Sequence, residues 1–291
     1  MSRQYFILAI GVLSVSFAAI FIRLAEAPPL VIAAYRLCLA SLIIIPVAWA
    51  RSRREIRQLS RRDVIMALIS GAFLALHFGL WTASLDYTSV ATSVVLVTAS
   101  PIFVALASYF FFEEKPGRRT VLGIVVSLAG AVIIGYGNWA IGPGSLLGGI
   151  LALLGALAVS GYILIGRRLR RRIGLLSYAS LSYSSAAVLL LVSALISGER
   201  LLGFSPSTYT MLVLLAVVPQ LIGHSSLNWS LRFIPATLVT IAVLGEPVLA
   251  SVLAVMILNE TPTFSEVGGG ALVLAGIFIA FWKNEILQGQ R

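Results

Sequence analysis

Glu246, His77 and His224 are the side chains best placed to do chemistry, because each falls inside a long apolar stretch. Glu246 lies in LGEPVLASVLAVMILNETP (244–262), near the middle of an apolar run from Ala236 to Leu258, and Pro247 follows it at once. The other acidic residues lie in loops or at the ends of apolar stretches. A charged carboxylate at the centre of a bilayer costs roughly 3 kcal/mol or more, so such a group usually faces a wet cavity or a partner. Glu246 could contact a cationic amine or carry a proton. It could equally stay protonated and hydrogen-bond a neighbouring helix. Histidine can be neutral in an apolar setting and gain a proton near physiological pH, which suits a relay, a substrate contact or a plain interhelical hydrogen bond. The two histidines have no cysteine or carboxylate at ligand spacing, so no metal site is expected.

Other residues could complete a binding surface. Trp81 is four residues beyond His77 and shares its helical face. With Tyr162 and Phe17 it could form an aromatic wall suited to planar substrates or to an ammonium group. Ser16, Thr98 and Asn228 could add polar contacts between helices. Arg36 falls about two turns inside an apolar stretch. It is expected to snorkel or to pair with Glu26 or Glu260, in a structural or gate-locking role.

The elements that carry these residues are membrane-length helices. The chain has 291 residues, 59% of them hydrophobic and 11% charged. Apolar segments recur at about 5–24, 30–50, 64–84, 90–112, 119–136, 146–166, 175–197, 208–229, 236–258 and 265–282. About 20 residues of helix cross a ~30 Å hydrocarbon core. The segments leave no room for a soluble domain, and the fold class is all-α integral membrane with ten transmembrane helices. Arg3 followed by an apolar run ending in Ala25-Glu26-Ala27 resembles a secretory signal, but Pro28 would follow the cut. The segment is read as the first span. Cys38 is the lone cysteine, so no internal disulfide can form.

The net charge of +10 is not a nucleic-acid signature, because of where it falls. In a ten-span arrangement all Lys and Arg except Arg23, Arg36 and Arg200 lie on one side. This asymmetry puts both termini in the cytoplasm and leaves the basic loops free to touch anionic lipid. A bacterial inner membrane is the expected location.

The chain repeats itself at an offset of about 146 residues. Pro101 answers Pro247, Glu114 answers Glu260 and Pro116 answers Pro262. Ser84 matches Ser230, Gly123 matches Gly269, and Leu128-Ala129-Gly130 matches Leu274-Ala275-Gly276. Residues 1–137 and 138–291 therefore read as two five-helix repeats. An odd number of spans per copy makes the second copy enter from the opposite face, as an inverted repeat. Such repeats commonly enclose a midplane site at interrupted helices. Pro101 and Pro247 each interrupt a span and free the carbonyls of Val97 and Val243. Pro219 interrupts the eighth span. Gly123 and Gly130, like Gly269 and Gly276, share a face and would let the fifth and tenth helices approach closely.

At SPIFVALASYFFFEEKPGRRTVLGIVVSLAGAVIIG and EPVLASVLAVMILNETPTFSEVGGGALVLAGIFI the chain resembles the drug/metabolite transporter superfamily, and within it the EamA-type ten-helix permeases. Arg36 in AAYRLCLASL matches an arginine often found early in their second span. The resemblance implies alternating access around a cavity lined by spans one, three, four, six, eight and nine, with the fifth and tenth at the periphery. It implies a secondary transporter of small organic metabolites. The best analogy is export of amino acids, aromatic or large neutral, by a monomer with or without proton coupling. No cofactor is expected, and no GxxxxGK[ST] stretch provides for ATP. The alternative is a non-transport role: an integral membrane enzyme would need a motif such as H-E-x-x-H or a nucleophile elbow, and the chain has neither, while an accessory partner would show as the absence of any substrate-dependent flux.

Overall fold

A computed structural model of the chain describes residues 3–88, 90–111, 117–136, 145–258 and 264–281. These residues form fifteen helical segments that line up as ten rods. Six rods are continuous: the second (Pro29–Gln58), third (Arg61–Tyr87), fifth (Arg118–Tyr136), sixth (Ser145–Arg170), seventh (Leu175–Ile196) and tenth (Phe264–Phe281). Three are broken: the first (Arg3–Ser16, Ala18–Leu24), fourth (Val90–Val97, Ser100–Phe111) and ninth (Ala236–Val243, Glu246–Leu258). The eighth passes from Pro206–Leu215 through a π-helical stretch, Ala216–His224, into Ser225–Ser230. Seven rods are long and apolar enough to cross a membrane, while Ser93–Ala107 and Val267–Ala280 are shorter apolar stretches of the fourth and tenth. Large apolar side chains such as Leu42, Phe110, Ile196 and Met256 point outward, as lipid contact requires. The chain is an all-helical integral membrane protein, since helices are one of only two ways to satisfy the backbone in lipid.

The fifth and tenth rods pack against each other along their length. A Cβ on Gly123 would lie 2.6 Å from the carbonyl oxygen of Gly276, and one on Gly130 would lie 2.5 Å from that of Gly269. The rods are therefore antiparallel, and each glycine faces the repeat mate of the other. Between them, Ser127 Oγ donates to the Val273 carbonyl at 3.2 Å, two positions also related by the repeat. The second and seventh rods pair antiparallel as well, with Cys38 near Ala187 and Glu55 near Gly174. The main packings occur in exchanged pairs: third on sixth with first on eighth, fourth on sixth with first on ninth. Equivalent helices running in opposite directions are the geometry of an inverted repeat.

The basic segments differ from the expected loops. The second rod extends to Gln58 and the sixth to Arg170, so Arg51, Arg53, Arg54, Arg57, Arg167, Arg168 and Arg170 sit on helical turns. A long arginine can project beyond the apolar core from such a turn, which the hydropathy boundary does not reveal. Several of these groups tie helix ends together. Arg167 Nη1 donates to the Leu231 carbonyl at 2.6 Å and Arg170 Nε to that of Asn228 at 3.1 Å, capping the end of the eighth rod. The Glu55 carboxylate accepts from Gly174 N at 2.6 Å and Ser177 Oγ at 2.5 Å, capping the start of the seventh. Arg172 pairs with Asp63 at 2.9 Å. Glu114, Lys115, Pro116, Glu260, Pro262, Lys283 and Arg291 lie outside the described residues.

Two outcomes follow from these contacts. Gly130→Ala places a methyl group against backbone, and overpacking of this kind costs about 1–3 kcal/mol. Gly268→Ala meets nothing within 4 Å and should leave stability unchanged; thermal melts of the detergent-solubilised pair measure the difference. Glu55→Ala removes two charge-assisted hydrogen bonds and should destabilise by about 1.5–3 kcal/mol, read in the same assay.

Candidate functional site

The two equivalent backbone breaks, Thr98–Ala99 and Leu244–Gly245, lie just before Pro101 and Pro247. Each proline is the second residue of the half-helix that follows, a position where its missing amide costs little. Val97 and Val243, whose carbonyls the prolines were expected to free, line one central cavity together with Thr98, Ser100 and Glu246. The cavity holds about 640 Å³ of atom-free space, its mouth included. Val15 and Ala18 of the first rod, His77 and Trp81 of the third, Tyr162 of the sixth and His224 and Asn228 of the eighth complete its walls. These rods are the first, third, fourth, sixth, eighth and ninth. The second rod adds Arg36.

The aromatic groups form a continuous surface. The His77 ring stacks on Trp81 with centroids 5.9 Å apart and planes 10° from parallel. Its Nδ1 lies 3.0 Å from the Gly155 carbonyl, which fixes the ring against the sixth rod. Phe78 meets His224 edge-on at 5.2 Å, and the two histidine rings are 6.4 Å apart. Tyr162 lies 6.4 Å from His224 and stacks on Tyr178 at 6.1 Å. Asn228 Nδ2 donates to the hydroxyls of Tyr162 at 2.5 Å and Tyr183 at 3.2 Å. A buried tyrosine needs such a partner. This network orients the wall rather than leaving Asn228 wholly free for a ligand. Thr98 Oγ1 bonds back to Val94 O at 2.8 Å, a contact that helps hold the end of the first half of its rod.

The charged groups are arranged less symmetrically. Glu246 is 8% exposed and begins the second half of the ninth rod, where the positive end of a helix dipole favours an anion. No side chain among the described residues hydrogen-bonds it. Arg36 departs from the sequence reading: it neither snorkels nor pairs with Glu26, and its proposed partner Glu260 lies outside the described residues. Its side chain turns inward, where Nε donates to Gln220 Oε1 at 2.9 Å and Cζ lies 4.0 Å from the Phe78 ring centroid. A desolvated cation over an aromatic face gains about 2 kcal/mol, which offsets part of the cost of burial.

Ser16 and Phe17 also fall elsewhere. Ser16 is fully buried, and its hydroxyl donates to the Val12 carbonyl at 2.8 Å. Phe17 occupies the break in the first rod and stacks on Phe21 at 5.7 Å. Their neighbours Val15 and Ala18, three residues apart on one helix face, take the cavity positions. Pro219 lies within the π-helical stretch, whose wider turn carries Gln220 to Arg36. Gln220, Phe78, Tyr178 and Tyr183 were not singled out from the sequence. A glutamine beside a proline in an apolar stretch was the available signal for the first; nothing marked the aromatic residues.

The chain matches the EamA-like transporter family over residues 2–136 and again over 146–282. It is 26% identical over 282 residues to the uncharacterized transporter YdfC of Bacillus subtilis, covering 95% of this chain and 89% of that protein. An uncharacterized transporter of Archaeoglobus fulgidus is 24% identical over 295 residues, covering 97% and 99%. A solved crystal structure shares the fold with a TM-score of 0.80 at 20% identity, over 98% of this chain and 99% of that one. A double family match, full-length relatives and a cavity between inverted halves agree: the chain belongs to the EamA-like transporter family of the drug/metabolite transporter superfamily, and it is a membrane transporter.

Proposed function

We propose that this transporter moves amino acids, aromatic or large neutral, outward across a bacterial inner membrane by alternating access. The observation that supports this reading is the joining, in one cavity, of an aromatic wall and a carboxylate that no side chain among the described residues hydrogen-bonds. Trp81, His77, Tyr162 and His224 would take an apolar or aromatic side chain, and Glu246 would take the substrate ammonium. Asn228 and Thr98 contribute polar edges at either side. The two repeats, 1–137 and 138–291, would rock about this site, with the breaks before Pro101 and Pro247 absorbing the change in helix direction and Pro219 adding a third adjustable point. The basic end of the bundle faces the cytoplasm in this reading, as the positive-inside rule requires. That end carries both termini, and the protein acts as a monomer.

Glu246 also suits a proton exchanged against substrate. An acid that binds an ammonium when charged and a proton when empty links the two by competition for one carboxylate.

Counterflow of labelled amino acids into liposomes holding the purified protein tests the reading, with and without a pH gradient. Exchange of phenylalanine, tryptophan and leucine is expected, with small or acidic amino acids exchanging poorly. Trp81→Ala should lower aromatic exchange about tenfold, the value of one stacking contact. Glu246→Gln should abolish acceleration by the pH gradient. Exchange of no amino acid would overturn the substrate class, and a pH response intact in Glu246→Gln would remove Glu246 from proton coupling.

A further inference from the structure

The Arg36–Gln220 pair is a buried group whose guanidinium has no salt-bridged carboxylate among the described residues. Arg36 is 2% exposed and Gln220 is fully buried. Among the described residues, only Nε of the guanidinium finds a hydrogen-bond acceptor, the Gln220 Oε1 at 2.9 Å. Arginine can only donate, so this bond fixes the Gln220 amide with its Nε2 turned away. Both Arg36 Nη1 and Gln220 Nε2 are buried without a partner. No carboxylate of the described residues lies within ion-pair distance of Arg36; Glu246 shares the cavity and attracts it through space without a direct bond. Phe78 covers one face of the guanidinium at 4.0 Å, and Arg36 is among the residues that line the cavity. A buried cation with open donors is costly unless an anion or acceptor completes it.

We infer that Arg36, held by Gln220, is the subsite for the carboxylate of the transported molecule. This deepens the substrate reading above, in which Glu246 takes the ammonium. The two charged side chains then read both ends of a zwitterion, and the aromatic wall reads what lies between. Arg36 was expected to act as a structural or gate-locking residue; here it determines specificity. The guanidinium fork matches a planar carboxylate, and Gln220 and Phe78 hold its plane before the ligand arrives. The π-helical stretch serves this arrangement, because it is the element that delivers Gln220.

Binding of three probes to the purified full chain in nanodiscs tests the subsite: L-phenylalanine, L-phenylalaninamide and 3-phenylpropionate. The amide lacks the carboxylate and the propionate lacks the ammonium. Wild type should bind phenylalanine at least about tenfold more tightly than the amide, as removal of one charged partner from a buried pair implies. Gln220→Glu, close in shape, supplies an internal anion to Arg36. It should raise the melting temperature of the empty protein and bring the two affinities within about threefold of each other. Arg36→Gln should erase the same preference where it folds. Binding of the propionate without phenylalanine would keep the carboxylate subsite and overturn the amino-acid reading. Equal binding of phenylalanine and its amide by wild type would overturn the subsite. So would a preference retained in Gln220→Glu, or binding of neither carboxylate.

Discussion

A helix inside lipid must satisfy its own backbone, and at two related places in this chain a proline withholds the amide that would do so. The breaks at Thr98–Ala99 and Leu244–Gly245 are tolerable only where the exposed peptide groups meet protein or a cavity instead of hydrocarbon. The remaining rods are arranged accordingly. The third and sixth, and in exchange the first and eighth, close around the breaks, while the fifth and tenth lie outside them. Glu246 follows from the same constraint. The first turn of a helix offers amides to an anion, and a broken rod offers a first turn in mid-membrane.

Much of this arrangement is legible in the amino-acid sequence because it depends on backbone chemistry. Proline at two positions 146 residues apart marks the breaks, glycine at four positions marks the close approach of the fifth and tenth rods, and polarity inside apolar stretches marks His77, His224, Asn228 and Glu246. All four of those polar residues line the cavity. What could not be read depends on rotation. In the first rod Val15 and Ala18, three residues apart on one helix face, point into the cavity while Ser16 and Phe17 point away. The π-helical turn shifts the face on which Gln220 lies, and no residue pattern announces a π-helix.

Arg36 illustrates a second limit. Its depth along the rod was evident, but a long flexible side chain can end in any of several directions, and helix position alone does not choose one. The choice is made by Phe78 and Gln220, on two other rods. Similarly, the arginines after the sixth span are topological signals in the sequence. In the fold Arg167 and Arg170 are also buried caps on the eighth rod. One end of the bundle is thus held by specific bonds, whereas the fifth–tenth contact combines close glycine packing with the Ser127–Val273 hydrogen bond.

The first rod is broken while its mate, the sixth, runs uninterrupted; the eighth carries a π-helical stretch while its mate, the third, is regular α-helix. Two perfectly matched halves would give inward-facing and outward-facing arrangements of equal free energy, because exchanging the halves converts one into the other. Here the halves differ in residue as well as in winding, with Ser100 in the first where Glu246 stands in the second, so symmetry does not hold the two arrangements equal. A gap of about 1.4 kcal/mol already makes one arrangement tenfold more populated. In the alternating-access reading, residue differences of this kind would give the empty carrier a preferred side to wait on before any substrate or gradient acts.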